Sequence, residues 1–282
     1  VAQQAQYQAR RAALLAQLME PTLKPRGIRR ILHGFSSATD ALLRSIWQAM
    51  RIGNRATLIA VGGYGRRQLF PHSDVDLLIL VGEDAPTAAI EAFIACCWDA
   101  GLKLGSSVHT PGGCLASCAQ DITLQTSLLE ARRLAGSTQL FAALTQAHAE
   151  QLDVRAFVQD KLLELHQRHT RHEHTPYALE PDCKESPGGL RDLHLVLWLA
   201  RAAHLGGSWR ELAERGLATA YELRQIEHNE AMLCLIRARL HTVAGRHEDR
   251  LVFDLQAAVA QTFGLSDVQG TGGRWLLPSE QL

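Results

Sequence analysis

The sequence predicts an α+β protein: a small mixed sheet with flanking helices over residues 1–150, then an all-helical part over 151–264. Three observations carry this. Two short apolar runs, ATLIAV at 56–61 and DVDLLILV at 74–81, have the length and content of buried strands. Stretches with helical spacing of apolar residues stand on both sides of them. After residue 150 strand signals nearly vanish.

Taken in order, residues 4–19 and 36–51 read as helices, the second opened by Ser36-Ser37 and carrying Leu42, Leu43, Ile46 and Trp47 at helical spacing. The first strand, 56–61, ends in Gly62-Gly63, and the second, 74–81, follows Pro71-His72-Ser73. A helix over 87–101 puts Ile90, Phe93, Ile94 and Trp98 on its apolar side. LKLGSSVHT (102–110) reads as a third strand, after which Pro111-Gly112-Gly113 turns the chain. A helix is expected from Asp121 to about Ala135 and another over 137–149. Further helices fall at 151–173, 190–205, 208–215 and 217–245, broken by the Pro- and Gly-containing loop 175–190. Trp47, Trp98, Trp198 and Trp209 are expected in the core.

The chain has 282 residues, 46% hydrophobic and 21% charged, which is ordinary for a globular protein. No stretch reaches the length of a membrane span, and the Ala/Gln/Arg-rich start has no signal-peptide pattern. Six cysteines without a Cys-x-x-Cys pair read as reduced thiols of a cytoplasmic protein. A formal net charge of zero covers a gradient: residues 1–70 hold eleven Lys/Arg against two Asp/Glu, and residues 71–150 three against nine. That near-neutral total argues against extended nucleic-acid contact. A basic segment beside an acidic one suits a site for polyphosphate and metal, or simply a solvated helix surface.

The chemistry concentrates in GGYGRRQLFPHSDVDLLIL, residues 62–80. On a strand, Asp74 and Asp76 project to one face with Cα atoms ~6.6 Å apart. Carboxylates so paired bind hard divalent cations such as Mg²⁺, and two ions can clamp an in-line phosphoryl or nucleotidyl displacement. Gly62 and Gly63 let the backbone approach an anion, Arg66 and Arg67 offer charge to a triphosphate, and Ser73 adds a hydroxyl. Each part alone is common in turns; strand, Gly-Gly, short helix and Asp-x-Asp together point to a nucleotide site.

These residues resemble the nucleotidyltransferase domain of the bacterial PII uridylyltransferases, in the DNA polymerase β-like superfamily. DITLQTSLLEARRLAG (121–136), YALEPDCKESPGGLRD (177–192) and RHEDRL (246–251) extend the resemblance to about residue 264. The resemblance implies Mg²⁺-dependent transfer of UMP from UTP to a tyrosine of the PII protein, with release of pyrophosphate. It makes Asp74 and Asp76 metal ligands and puts Gly62 and Gly63 on the triphosphate. The superfamily usually adds a third carboxylate; LKLGSSVHT has none, and Asp121 is the nearest candidate, equally placed to be a helix N-cap. The chain departs from the family pattern at His109, where Arg is expected, and at Gln68, where Glu is expected. Residues 265–282 no longer resemble the family, and its HD-type and ACT domains are expected to be absent from this chain.

In the second block Lys184 and Arg191, near a Pro-Gly-Gly bend at a helix start, suit phosphate or acceptor contact, and Arg191 with Asp192 equally suits a structural ion pair. The cluster HQRHTRHEH (166–174) reads as a solvated helix end, and His247-Glu248-Asp249 as structural. Two other readings stay open: a nucleotidyltransferase with a different acceptor, and a truncated module that binds nucleotide or PII without turnover.

Overall fold

The structure, a computed structural model, describes residues 2–269, 275–276 and 278–281. In chain order the elements are α1 (Ala2–Met19), α2 (Ile28–Ala49), β1 (Ala56–Ala60), α3 (Gly62–Gly65), β2 (Val75–Val81), α4 (Thr87–Asp99), β3 (Leu104–His109), α5 (Pro111–Cys118), α6 (Ile122–Leu128), β4 (Arg132–Gly136), α7 (Thr138–Gln151) and α8 (Val154–Arg171). They continue with α9 (Leu190–Ala202), α10 (Trp209–Glu214), α11 (Ala220–Ala244), α12 (Phe253–Thr262), β5 (Val268–Gln269), β6 (Trp275–Leu276) and α13 (Pro278–Gln281). No described helix is long and apolar enough to cross a membrane.

Two compact units divide the chain. The first comprises residues 1–11, 32–69 and 73–160, and the second 12–31, 70–72 and 161–282. The division falls near residue 160 rather than 150, and two stretches of the first half belong to the second unit.

In the first unit four strands form a mixed sheet in the order β3-β2-β1-β4. β1 is antiparallel to β2 and β4, while β2 and β3 run parallel, joined through α4 as a parallel pair requires. Ile59, Leu78 and Leu80 on one face pack with Cys114, Cys118, Leu128 and Leu144 of α5, α6 and α7. Leu58, Leu77 and Ile79 on the other face are equally buried. Both central strands therefore read as nearly continuous apolar runs, broken by Thr57, whose buried hydroxyl donates to the Ser137 carbonyl at 2.9 Å, and by Asp76, which meets solvent.

Four expectations change over residues 28–136. β4 lies where a helix was expected to continue to Ala135: α6 stops at Leu128, and pairing with β1 overrides the local helical pattern. Helix α2 begins at Ile28, eight residues early, and Ser36 is not its cap but donates to the Leu32 carbonyl from mid-helix, 3.0 Å. Pro111 does not only turn the chain; it is the first residue of α5, whose N-cap Thr110 accepts from Gly113 N–H. Trp98, expected in the core, is 60% exposed on α4, whereas Trp47 meets Phe93 edge-on at 5.3 Å.

The second unit is mostly helical but not wholly so, since β5 and β6 pair antiparallel. Part of the expected tail, residues 270–274, 277 and 282, lies outside the described residues. Helix α11 opens on a capping box between Thr219 and Glu222 and ends at Gly245 in the left-handed conformation. Its buried Arg239 donates to the carbonyls of Leu18 (3.1 Å) and Glu20 (2.7 Å), holding the end of α1 within this unit.

Candidate active site

β1 ends at Ala60 and the chain turns at once. Val61 donates its N–H to the Asp76 carbonyl at 3.1 Å, fastening the turn to the head of β2. Gly62 sits at φ 56°, a left-handed conformation that glycine adopts without steric cost. The first helical hydrogen bond of α3 runs from Gly65 N–H to the Val61 carbonyl, 2.9 Å. The N–H groups of Gly62 and Gly63 stand ahead of it, at the end of a helical turn whose donors have no helical acceptor.

Asp76 is the second residue of β2 and lies across from Gly105 of β3. Its carboxylate occupies the space between two glycines. A Cβ on Gly62 would stand 3.4 Å from Oδ2, and one on Gly105 only 2.8 Å from Oδ1. Asp74, expected as the first strand residue, stands just ahead of β2; the strand period continued back by one residue puts it on the face of Asp76, and both side chains are exposed. Ser73 leads directly into the pair. Two exposed carboxylates beside backbone N–H donors fit a hard divalent cation together with phosphate.

The glycine turn is held from behind by a buried network. Arg132 of β4 donates to both oxygens of Asp40, at 2.7 and 3.1 Å, and to the carbonyls of Tyr64 (3.2 Å) and Gly65 (3.3 Å). Asp40 is 2% exposed and also accepts from the Tyr64 hydroxyl at 2.6 Å and from Arg44 at 3.3 Å. Burial, then the neighbouring Asp40 carboxylate, raise the Tyr64 phenol well above its ordinary 10.0, so it stays a donor.

Arg66, expected on the triphosphate, is paired with the buried carboxylate of Glu130 and donates to Gln68 Oε1 at 3.1 Å. Asp121 caps α6, its Oδ1 accepting from Thr123 N–H at 2.7 Å. β3 carries no carboxylate. The residue that enters it, Lys103, accepts the Val75 N–H on its carbonyl at 2.8 Å, which puts Lys103 opposite Asp74 on the continued register.

Lys184 and Arg191 belong to the second unit, where both sit among carboxylates. Arg191 pairs with Glu185 at 2.9 Å, and Lys184 lies 3.6 Å from both Glu185 and Asp249. Asp249 also takes two hydrogen bonds from Arg237, at 2.6 and 3.1 Å, and one from His241 at 3.1 Å. Burial would raise the Asp249 pKa, but the bonds from His241 and Arg237 outweigh it and hold it well below the usual carboxylate range. His241, His247 and Asp249 are close enough to share a metal ion. Arg237 and Lys184 already sit on that carboxylate, and their charge opposes a divalent cation there. In the histidine cluster, His169 lies 3.1 Å from Asp192, which also pairs with Arg168 at 2.7 Å.

The residues that arrange this site beyond the expected ones are Asp40, Arg132, Glu130 and Gly105. Asp40 left one signal, a lone carboxylate next to the apolar residues Leu42 and Leu43 of a helix. Gly105 left none.

Residues 156–275 match the family described as GlnD PII-uridylyltransferase, so the match runs past residue 264 into the tail that was expected to lie outside the family. Over 267 residues, 94% of this chain and 31% of the relative, the sequence is 49% identical to a bifunctional uridylyltransferase/uridylyl-removing enzyme of Burkholderia pseudomallei (strain K96243). A protein of the same description from Cupriavidus pinatubonensis (strain JMP 134 / LMG 1197) is 56% identical over 230 residues, 80% of this chain and 26% of the relative. The chain carries a PII-uridylyltransferase family domain over residues 156–275 and is similar to part of these enzymes over most of its length. It spans about a third of the length of these relatives. A match over 267 of 282 residues necessarily takes in the stretch 62–80, so the family likeness covers the carboxylate pair as well as the second unit.

Proposed function

We propose that the chain transfers UMP from UTP to a tyrosine hydroxyl of the PII protein, releasing pyrophosphate, on a polymerase β-like nucleotidyltransferase domain followed by a mainly helical one. The observation that supports this best is the Asp74–Asp76 pair beside the open N–H groups of the Gly62-Gly63 turn. In the reaction the hydroxyl oxygen bonds to the α-phosphorus while the bond from that phosphorus to the bridging oxygen breaks. Pyrophosphate leaves with the electron pair, and the hydroxyl proton passes to solvent, which reaches both exposed aspartates.

Asp74 and Asp76 would hold Mg²⁺, which when bound supplies positive charge to the triphosphate and the leaving group. Gly62 and Gly63 donate N–H groups to phosphate oxygens, and Ser73 offers its hydroxyl beside them. The buried Asp40–Arg132 pair keeps the turn in shape, so the donors need no rearrangement when substrate arrives. Arg66 reaches phosphate only by exchanging Glu130. Lys184 and Arg191 belong to the scaffold of the second unit in this reading. The compartment that fits such a reaction is the cytoplasm.

A second reading, nucleotide or PII binding without turnover, is favoured by two observations: Lys103 rather than a carboxylate stands opposite Asp74 on the continued register, and Asp121 is occupied as a cap. The test is labelled UTP with Mg²⁺ and PII, beside the Asp76→Ala variant. Label on PII that is lost in the variant supports the transferase. Mg²⁺-dependent UTP binding without label supports the second reading, and label on another acceptor redirects the first.

A further inference from the structure

The two edges of the sheet in the first unit are unlike. β4 is blunted in the ways proteins use against stray pairing: it is five residues long, carries Arg132 and Arg133, and its register shifts opposite Leu58 and Ile59. β3 has none of these. It keeps six consecutive pairs with β2, has no proline, and bears no charged side chain from Leu104 to Val108. Gly105, Ser106 and Val108 are exposed.

The hydrogen-bond phase shows what this edge offers. Val75 N–H bonds to the Lys103 carbonyl. In a parallel pair alternate residues face the same neighbour, so Lys103, Gly105, Ser107 and His109 turn their backbone groups to β2. Leu104, Ser106 and Val108 turn theirs outward. We propose that this outer edge of β3 takes the acceptor as an added strand, an extended segment of PII pairing with Leu104, Ser106 and Val108. The proposal rests on the transferase reading above and names how its protein substrate docks.

The edge is continuous with the transfer site. Gly105 shares the face of Asp76, and it is where β3 has no side chain to stand between Asp76 and an incoming strand. A residue of the added strand beside Gly105 lies two strand spacings from Asp76, about 9.6 Å. A tyrosine there reaches across Gly105 toward the carboxylates. A serine or threonine hydroxyl, one bond beyond Cβ, stops short. The edge thus selects a long hydroxyl side chain on an extended backbone.

The test uses the 282-residue chain with PII, Mg²⁺ and UTP. Amide exchange at Ser106 and Val108 slows when PII binds, while Gly105 and Ser107, already bonded to β2, change little. Ser106→Pro removes an outward N–H without removing a bond to β2. It lowers PII labelling at least tenfold and leaves UTP binding unchanged, whereas Ser106→Ala labels normally. If Ser106→Pro does not fold, Val108→Lys and the exchange pattern of the unaltered chain decide. Labelling by a folded Ser106→Pro at the unaltered rate, or no protection at Ser106 and Val108 with PII bound, overturns the edge while the transferase reading stands. Protection that needs no PII and grows with chain concentration also overturns it, in favour of pairing between two copies. No labelling by the unaltered chain sinks the transferase reading and the docking inference with it.

Discussion

Arg132 holds both oxygens of Asp40 while the same guanidinium reaches the carbonyls of Tyr64 and Gly65, next to Gly62 and Gly63 in the turn after β1. One buried ion pair thereby connects α2, β4 and the turn after β1. Its consequence is asymmetric: the pair matters less for its own strength than for what is left when one member goes.

Asp40→Ala is expected to lower stability by about 2–4 kcal/mol, because it leaves the part-buried Arg132 charge without its carboxylate and the buried Tyr64 hydroxyl without its acceptor. Urea unfolding at neutral pH measures it. Adding Arg132→Met to Asp40→Ala recovers part of the loss, since no unpaired charge remains. A double variant as unstable as the sum of the two single changes would count against a coupled pair.

Gly105→Ala separates site geometry from folding. Its Cβ meets Asp76 Oδ1 at 2.8 Å, so the carboxylate has to swing, and it is exposed enough to do so. Divalent-metal affinity is expected to fall about 10–100-fold, as when the support of a metal ligand is disturbed. The unfolding midpoint changes little. Mn²⁺ titration followed by calorimetry reads the first, and thermal melting the second. Unchanged affinity would mean that Asp76 is not a metal ligand.

The sequence made the turn and the two aspartates legible because both depend on local spacing. Gly62-Gly63 follows a short apolar run, and Asp74 and Asp76 share a face by the two-residue period alone. Long-range pairing leaves no such trace. Arg66 meets Glu130 across 64 residues, and Arg132 meets Asp40 across 92. β4 was hidden for the same reason, since RRLAG becomes a strand only by pairing with β1. Asp121 suited both a third carboxylate and a cap; the structure places it as the cap of α6.

His241 makes the second unit sensitive to acid. Burial, its largest influence, lowers its pKa below the ordinary 6.5, against the raising effect of the Asp249 hydrogen bond. Below 6.5 the unfolded chain takes up a proton that the folded one resists, so stability declines as pH falls toward the folded value. Its slope is at most about 1.4 kcal/mol per pH unit for this group. Asp249, whose pKa is lowered, keeps its contribution above its ordinary 3.8 and does not enter this window. His148 of the first unit, also lowered by burial, adds in the same direction. His241→Gln keeps a donor but does not titrate, so its stability changes less between about pH 7.5 and 5.5. Urea unfolding at both values checks this, and equal slopes would refute it.

Lys103 offers the sharpest test of how the carboxylate pair works. On the continued register it stands opposite Asp74, so its ammonium opposes any divalent cation that Asp74 and Asp76 hold. Cross-strand neighbours on one face interact at about 5 Å. Lys103→Glu replaces repulsion with attraction and is expected to raise Mg²⁺ affinity about tenfold, or about 1.4 kcal/mol, even with water screening each term. Mn²⁺ titration of the variant beside the unaltered chain measures it. The same variant separates the two readings of the site. Faster labelling of PII would show a transfer centre restrained by its lysine. Tighter metal with no transfer would show that charge beside Asp74 is not what limits the chemistry, and would favour a site that only binds.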